Sequence, residues 1–184
     1  RDTTFRQTIP SGILMAPKSG VWKTAKPISI EAGGKIFLKV PGVKDHVVFQ
    51  VLPESLIPPK TVQRFFQSTF KAQRLKSLDN ELLITMKLCL KVIQDDDDVE
   101  EDEDNDDGKL GTLYFEFGPS GTQFDPYSIL NIPFELLMTD DVDTFAVTDE
   151  NGKEVDGCSY DIDEENELLI TYIPHFSYYY YNRR

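Results

Sequence analysis

The chain of 184 residues contains only two histidines, two cysteines and one tryptophan. His46 has no plausible nucleophile beside it, so a catalytic triad acting on another molecule is not predicted. Cys89 and Cys158 are too few for the paired spacing of a zinc site, and their separation fits free thiols as well as a disulfide. These shortages exclude the commonest hydrolytic and zinc-binding arrangements and leave the redox compartment open.

Long apolar runs are missing as well. No stretch approaches the roughly 20 apolar residues that a membrane-spanning helix needs, so we expect no membrane insertion by this segment. The N-terminus, Arg1-Asp2-Thr3-Thr4, also lacks the charged-then-apolar order of a secretory signal. This opening is compatible with a mature exported protein and with an excised domain.

Basic residues are in the minority, with 19 Lys and Arg against 32 Asp and Glu and a formal net charge of -13. Eleven of the acidic side chains lie between Asp95 and Asp107, so the rest of the chain is nearly balanced. No dense stripe of cations remains to bind a phosphate backbone, and we expect no nucleic-acid partner. The acidic run contains one apolar residue, Val99, and its composition predicts a long disordered loop inserted at residues 95–107.

The remaining sequence consists of short apolar or alternating segments separated by Gly, Pro, Asn and Asp. This pattern predicts an all-β fold, an antiparallel β-sandwich, in one domain over residues 28–184, with residues 1–27 as an N-terminal extension or first strand. Turns are predicted at Gly33-Gly34, Pro41-Gly42, Asn151-Gly152 and Asp156-Gly157. The predicted strands are 28–30, 35–40, 47–52, 82–93, 110–117, 129–133, 143–148 and 167–173.

Two segments complicate this pattern. Predicted strands 82–93 and 110–117 flank the acidic run, which suggests a hairpin at the edge of a sheet with a lengthened loop. Between residues 60 and 77, Val62, Phe65, Phe66, Thr69 and Phe70 recur at roughly helical spacing, and a short helix or a strand fits equally. This segment holds five cations and no acid, which is compatible with solvated surface or with contact to the acidic run.

Several motifs, taken in order, resemble ZU-five domains. A Gly33-Gly34 pair leads a strand, the run 51–56 (Val-Leu-Pro-Glu-Ser-Leu) follows, and the chain closes on His175-Phe176-Ser177-Tyr178. Between them, residues 118–124 read Gly-Pro-Ser-Gly-Thr-Gln-Phe and precede an apolar strand, which is similar to the family's bacterial surface-protein relatives. The resemblance covers residues 28–181; the acidic insertion and the segment 60–77 depart from it.

The resemblance implies an antiparallel sandwich that acts between receptor, scaffold or cell-surface domains. We therefore expect a non-catalytic interaction or structural module of a larger exported or cell-surface protein, located outside the cell. Its partner would be another protein or a neighbouring domain of the same polypeptide.

One enzymatic alternative follows from the same resemblance, because some ZU-five domains cleave their own backbone between Phe and Ser. Here the Ser177 hydroxyl would attack the carbonyl of Phe176, with His175 as base, and the resulting ester would hydrolyse. The competing interpretation places Phe176 in the core with His175 and Ser177 facing outward or capping a turn.

Two ligand alternatives rest on composition. Hard oxygen ligands for calcium are abundant in the acidic run and at Asp140, Asp141, Asp143, Asp161 and Asp163. The run lacks the residue order of an EF-hand calcium loop, so only weak collective binding of calcium is predicted. No other cofactor is predicted.

The second ligand alternative is a carbohydrate-binding platform. It would use Trp22 with Tyr178 and Tyr180, since strand alternation points two of the four tyrosines 178–181 outward and two into the core.

Overall fold

The structure, a computed structural model, describes residues 16–62, 80–93 and 108–183. Its strands are β1 (Gly20–Ser29), β2 (Gly34–Leu38), β3 (Val47–Val51), β4 (Leu56–Ile57), β5 (Glu81–Ile93), β6 (Lys109–Gly118), β7 (Gln123–Pro133), β8 (Phe145–Thr148), β9 (Ser159–Asp163), β10 (Leu168–His175) and β11 (Tyr178–Arg183). A four-residue helix, α1 (Phe134–Leu137), follows β7, a 3-10 turn covers Val142–Thr144, and residues 60–62 are helical.

The strands form two antiparallel sheets, which confirms the predicted all-β sandwich. The first sheet has the order β1-β5-β6-β11-β8, and the second has the order β2-β3-β7-β10-β9 with β4 beside β7. The two outer strands of each sheet are therefore β1 and β8 in the first and β2 and β9 in the second. Every named strand pair is antiparallel.

Alternating side chains fill the space between the sheets. In β5, the buried residues are Leu82, Ile84, Met86, Leu88 and Leu90, and their neighbours face away from the core. Each such side chain stabilises the fold by about 1.5–3 kcal/mol when it leaves water. This segment forms a strand because, with a period-two pattern, only the extended conformation puts all five apolar side chains on one face.

Strand β1 is longer than the sequence predicted. The predicted strand began at residue 28, whereas β1 begins at Gly20 and pairs along its whole length with β5, from Gly20 opposite Leu90 to Ser29 opposite Glu81. Most of its residues are exposed or half-buried because it forms the edge of the sheet. Its alternation of Lys, Thr and Ala therefore carries little hydrophobic signal. The described part of residues 1–27 is thus mainly first strand.

The hairpin next to the acidic run is not at an edge, which corrects the sequence-based prediction. β5 and β6 do pair, with Ile93 opposite Lys109, but β1 covers β5 and β11 covers β6. These strands have 13 and 10 residues, and neighbours on both sides pair the long rows of backbone groups that an edge position would leave open. The sequence showed the pairing but not which strands would be added to it.

Two connections cross from one sheet to the other at the same end of the sandwich. Residues 118–123 lead from β6 to β7, and residues 175–178 lead from β10 to β11. They are joined where the Phe176 amide donates to the Thr122 carbonyl at 2.9 Å. Between them lies a phenylalanine cluster of Phe49, Phe117, Phe124 and Phe176, with ring centroids 4.9–5.9 Å apart.

Glycine is required at the first predicted turn. Gly33 has φ +72°, and a Cβ at this position would lie 2.2 Å from the Val51 carbonyl oxygen. The Asn151-Gly152 turn also forms as predicted, with Gly152 at φ +82°. The Asp149 carboxylate holds it by accepting from the amides of Asn151 and Lys153. The predicted disordered loop at 95–107 and most of segment 60–77 lie outside the described residues.

Candidate functional site

The four consecutive tyrosines of β11 alternate between the two faces of the first sheet, as predicted. Tyr179 and Tyr181 are 0% and 1% exposed and face the core, whereas Tyr178 and Tyr180 are half-buried on the opposite face. The outward pair is positioned by register, since Tyr178 lies opposite Glu116 and Tyr180 opposite Tyr114 in β6. One strand therefore supplies both core and surface aromatics.

Tyr114, Tyr178 and Tyr180 form an aromatic group on this outer face, called here the outer tyrosine cluster. The rings of Tyr114 and Tyr180 stack with centroids 4.5 Å apart at 20°. Tyr178 completes the group at 6.0 Å from Tyr114 and 6.5 Å from Tyr180. Aromatic pairs at these separations attract one another, so the three rings hold one another in place on the outer face.

Charged side chains form the row next to this cluster. Across four strands the register runs Lys23, Lys87, Glu116 and Tyr178. The Tyr178 hydroxyl donates to Glu116 Oε2 at 3.0 Å, and Lys87 Nζ lies 3.7 Å from Glu116 Oε1. A groove of about 510 Å³ opens along this row between β1, β5 and β6, and the outward residues in its lining are Lys23, Ala25, Thr85, Lys87, Glu116 and Gly118. The site thus combines stacked rings with both signs of charge.

Hydrogen bonds perturb the hydroxyls of the outer tyrosine cluster. A hydrogen bond with Cys89, which lies opposite Tyr114 in β5, raises the pKa of Tyr114 to about 12. The hydrogen bond to Glu116 raises the pKa of Tyr178 for the same reason, since a neutral hydroxyl donates better to a carboxylate than a phenolate can. Tyr114 and Tyr178 therefore act as neutral aromatic groups at physiological pH.

Trp22 is separated from the tyrosines with which it was predicted to act. It lies opposite Leu88 in the register, and directly opposed residues point to the same side of a sheet. Leu88 is fully buried, and Trp22 packs partly buried against the core. Trp22 and the outward tyrosines therefore lie on opposite faces of the first sheet and cannot contact one ligand together.

The residues predicted for self-cleavage lie in the crossover from β10 to β11. Phe176 is 7% exposed within the phenylalanine cluster, while His175 and Ser177 are half-buried. Within the described residues no hydrogen bond joins the His175 ring to the Ser177 hydroxyl. The Tyr179 hydroxyl donates to the carbonyl of His175, one peptide before the carbonyl that Ser177 would attack. This arrangement has the order of residues for the reaction but not a paired base and nucleophile.

The predicted calcium ligands have other partners in part. Asp161 accepts a hydrogen bond from the Tyr172 hydroxyl at 2.8 Å, and Asp163 accepts from the side chain of Asn166 at 2.8 Å. Asp141 shares a hydrogen bond with Asp143, and this raises the pKa of Asp141; Asp140 lines a separate shallow cleft beside α1. Across residues 16–62, 80–93 and 108–183, no three His, Cys, Asp or Glu side chains gather where they could hold a metal ion.

The two cysteines lie on opposite sides of the first sheet and are free thiols. Cys89 faces outward beside Tyr114, whereas Cys158 packs against the core near Tyr179 and Tyr181. Burial raises the pKa of the Cys158 thiol to about 11.

Sequence reasoning missed Tyr114 and the charged row beside it. Tyr114 is in an ordinary alternating segment, and its meeting with β11 depends on a pairing between strands more than 60 residues apart in sequence. The outward position of Tyr114 could have been predicted from its alternation with Leu113 and Phe115. The identity of the strand that lies beside β6 could not have been predicted from the sequence.

The fold and site together define a two-sheet antiparallel sandwich with an ordered aromatic and charged outer face. Comparison of the chain with family models, curated proteins and solved structures finds no match. Among the described residues, no helix has the length and apolar character needed to cross a membrane.

Proposed function

We propose that this chain is a non-catalytic interaction module that binds a protein partner through the outer face of its first sheet. The observation that carries the proposal is the outer tyrosine cluster, whose rings are pre-stacked on the face turned away from the core. Tyrosines are among the residues that contribute most to protein interfaces, because they bury a large area at a low cost in side-chain entropy.

The surroundings of the cluster favour a macromolecular partner over a small substrate. The groove beside the cluster lies on the face of a sheet and is partly open to solvent, whereas pockets for small ligands enclose most of the ligand surface. Lys23, Lys87 and Glu116 border the rings, and charges of both signs around an aromatic centre are typical of interface rims. This setting fits a partner segment that supplies an apolar or aromatic group and a carboxylate.

The proposal extends to the setting in which the module acts. By its resemblance to ZU-five domains, the chain would belong to a larger exported or cell-surface protein, and the partner would be a neighbouring domain or another surface protein. The sequence of the complete polypeptide tests this part, because an upstream signal sequence or a membrane anchor would support it and a cytosolic enzyme domain would contradict it.

A phage-displayed library of random peptides tests the binding face. We expect the native chain to enrich a defined set of peptides and the double variant Tyr114→Ser, Tyr180→Ser to lose them. Phe37→Ser is the matched control, since it removes an exposed aromatic ring from the second sheet. Enrichment that survives the double variant, or that Phe37→Ser abolishes, would place binding elsewhere.

Carbohydrate is the second candidate ligand, favoured by the near-parallel rings of Tyr114 and Tyr180. Sugars stack on exposed aromatic faces, although they need ring faces that remain open to solvent. A glycan array read with the native chain and with Tyr180→Ser decides this point. Binding that is lost in Tyr180→Ser would favour a carbohydrate-binding module. An array without hits would argue against carbohydrate as the ligand.

Self-processing at Phe176–Ser177 remains a third proposal, supported by the location of this peptide in a crossover where His175 and Ser177 flank Phe176. Mass spectrometry of the purified chain would show a fragment beginning at Ser177, which Ser177→Ala would abolish. An intact mass after long incubation at neutral pH would contradict self-processing.

A further inference from the structure

The outer face of the second sheet has an apolar centre and oppositely charged edges. Phe37 is 52% exposed on the edge strand β2, and half-buried apolar side chains continue across the middle of the sheet. By register, one row across the five strands is Phe37, Val48, Asn131, Ile170 and Asp161, and the next is Lys35, Gln50, Ile129, Tyr172 and Ser159.

The two edges of this face differ in charge. Lys35 belongs to β2, and the ammonium of Lys26 lies next to it and donates to the Lys35 carbonyl at 3.0 Å. On the outward side of β9, at the other edge, lie Asp161 and Asp163. The face therefore carries positive charge along one side, negative charge along the other and aliphatic and aromatic side chains between them.

We propose that this face binds the same face of a second copy of the chain, with a two-fold axis parallel to the strands over β7. Rotation about such an axis exchanges left and right but keeps each row at its height, so β2 of each copy lies over β9 of the other. Lys35 then lies one row from Asp161 of the second copy, an offset of about 7 Å along the strand that a lysine side chain can span, and each basic edge lies over an acidic edge. A two-fold axis across the strands would instead place β2 over β2 and β9 over β9. The charge pattern selects the first arrangement, because like charges at an interface disfavour the second.

The size of the face predicts a reversible dimer. Five strands spaced about 4.8 Å apart and covered over roughly 17–25 Å of their length give about 400–600 Å² per copy, at the low end for specific interfaces. We therefore expect dimerisation with a dissociation constant on the order of 10–100 µM at low ionic strength.

Paired charge reversals test the geometry by sedimentation velocity of the 184-residue chain. Lys35→Glu makes its homodimer face acid with acid at both edges, and Asp161→Lys makes its homodimer face base with base. We expect each variant alone to dimerise at least about tenfold more weakly than the native chain. An equimolar mixture should recover native affinity within about threefold, because only the mixed dimer pairs opposite charges at both edges.

Lys23→Glu is the matched control, since it reverses an exposed lysine on the outer face of the first sheet, and it should leave the dimer unchanged. Circular dichroism confirms folding of each variant. Phe37→Asp, at an exposed position, should also weaken the dimer. The proposal is overturned if the native chain stays monomeric to about 1 mM, if either reversal leaves the dimer unaffected, if the mixture is not restored, or if Lys23→Glu abolishes association.

Discussion

Strand β11 allows a comparison between two pairs of neighbouring tyrosines with opposite surroundings. Tyr179 and Tyr181 are closed into the core, and Tyr178 and Tyr180 face outward beside Tyr114. The amino acid is the same, and the positions differ by one residue. The comparison shows that the face of the sheet decides whether a tyrosine is enclosed in the core or half-exposed on the surface.

Their hydroxyls are also satisfied differently. The Tyr181 hydroxyl is 2.7 Å from the Thr171 hydroxyl in the core, and the Tyr179 hydroxyl donates to the His175 carbonyl. Burial raises the pKa of both inner tyrosines. The outer Tyr178 instead bonds to a carboxylate that a lysine also approaches. Removing an inner tyrosine should therefore cost more than removing an outer one.

The largest expected difference is between Tyr181→Ala and Tyr180→Ala. Truncation of a fully buried aromatic side chain leaves a cavity and loses its transfer free energy, so Tyr181→Ala should lower the free energy of unfolding by about 3–5 kcal/mol. Tyr180→Ala should lower it by less than about 1 kcal/mol. Urea denaturation followed by fluorescence measures both. Equal losses would contradict the two-face arrangement of β11.

The second-largest expected effect is a loss of stability at high pH, caused by the buried groups Cys158, Tyr179 and Tyr181. In the folded chain, burial raises the pKa of Cys158 from 9.0 to about 11 and raises the pKa values of Tyr179 and Tyr181 above 10.0. Above about pH 9 the unfolded chain therefore binds fewer protons than the folded chain, and stability falls as pH rises, by up to about 1.4 kcal/mol per pH unit for each group.

Urea denaturation at pH 7, 9, 10 and 11 measures this loss. Cys158→Ala is the control, because it removes the part of the decline that begins near pH 9 and leaves the part that the tyrosines cause. A free energy of unfolding that stays constant from pH 9 to 11 would show that these groups are not buried as described.

The buried hydroxyl pair should show strong coupling. Tyr181→Phe removes one partner and leaves the Thr171 hydroxyl unsatisfied, at an expected cost of about 1–3 kcal/mol. Replacing both partners in Tyr181→Phe with Thr171→Val should cost less than the sum of the two single changes. Tyr180→Phe is the matched control and should be nearly neutral. Additive single effects would argue against the hydrogen bond.

The smallest expected effect is at Glu116. Glu116→Gln weakens an exposed ion pair with Lys87 and a surface hydrogen bond, so the free energy of unfolding should change by no more than about 1 kcal/mol. The pKa of Tyr178 should nevertheless fall toward its ordinary value, because its carboxylate acceptor is lost. Ultraviolet titration detects this shift, and Glu165→Gln, in a distant turn, should leave the titration unchanged.

Much of the fold was predictable from alternation. The strands at 47–51, 81–93 and 109–118 match their predicted bounds within about two residues, since their apolar positions repeat every second residue. The prediction gave the wrong extent for the edge strand β1 and missed the edge strand β9. An edge strand buries few side chains and therefore leaves little hydrophobic pattern in the sequence. The two-residue β4 and the helix α1 are too short to show a period.

The candidate site was less predictable than the fold. Alternation in Tyr178–Tyr181 correctly separated outward from inward tyrosines, because side-chain direction along one strand is a local property. Grouping Trp22 with the outward pair did not agree with the structure, since the face to which Trp22 points follows from its register with β5. Tyr114 and Glu116 entered the site only through pairing with a strand from the far end of the chain.

The sequence by itself determined that this is an antiparallel all-β protein, where its turns require glycine, and which side chains of each strand share a face. These features depend on neighbours a few residues apart. The tertiary structure decided the order of strands in each sheet, the central place of the β5–β6 hairpin, the outer tyrosine cluster and the charged edges of the second sheet. Those features depend on pairings between distant segments, whose energies are collective and leave no periodic mark in the sequence.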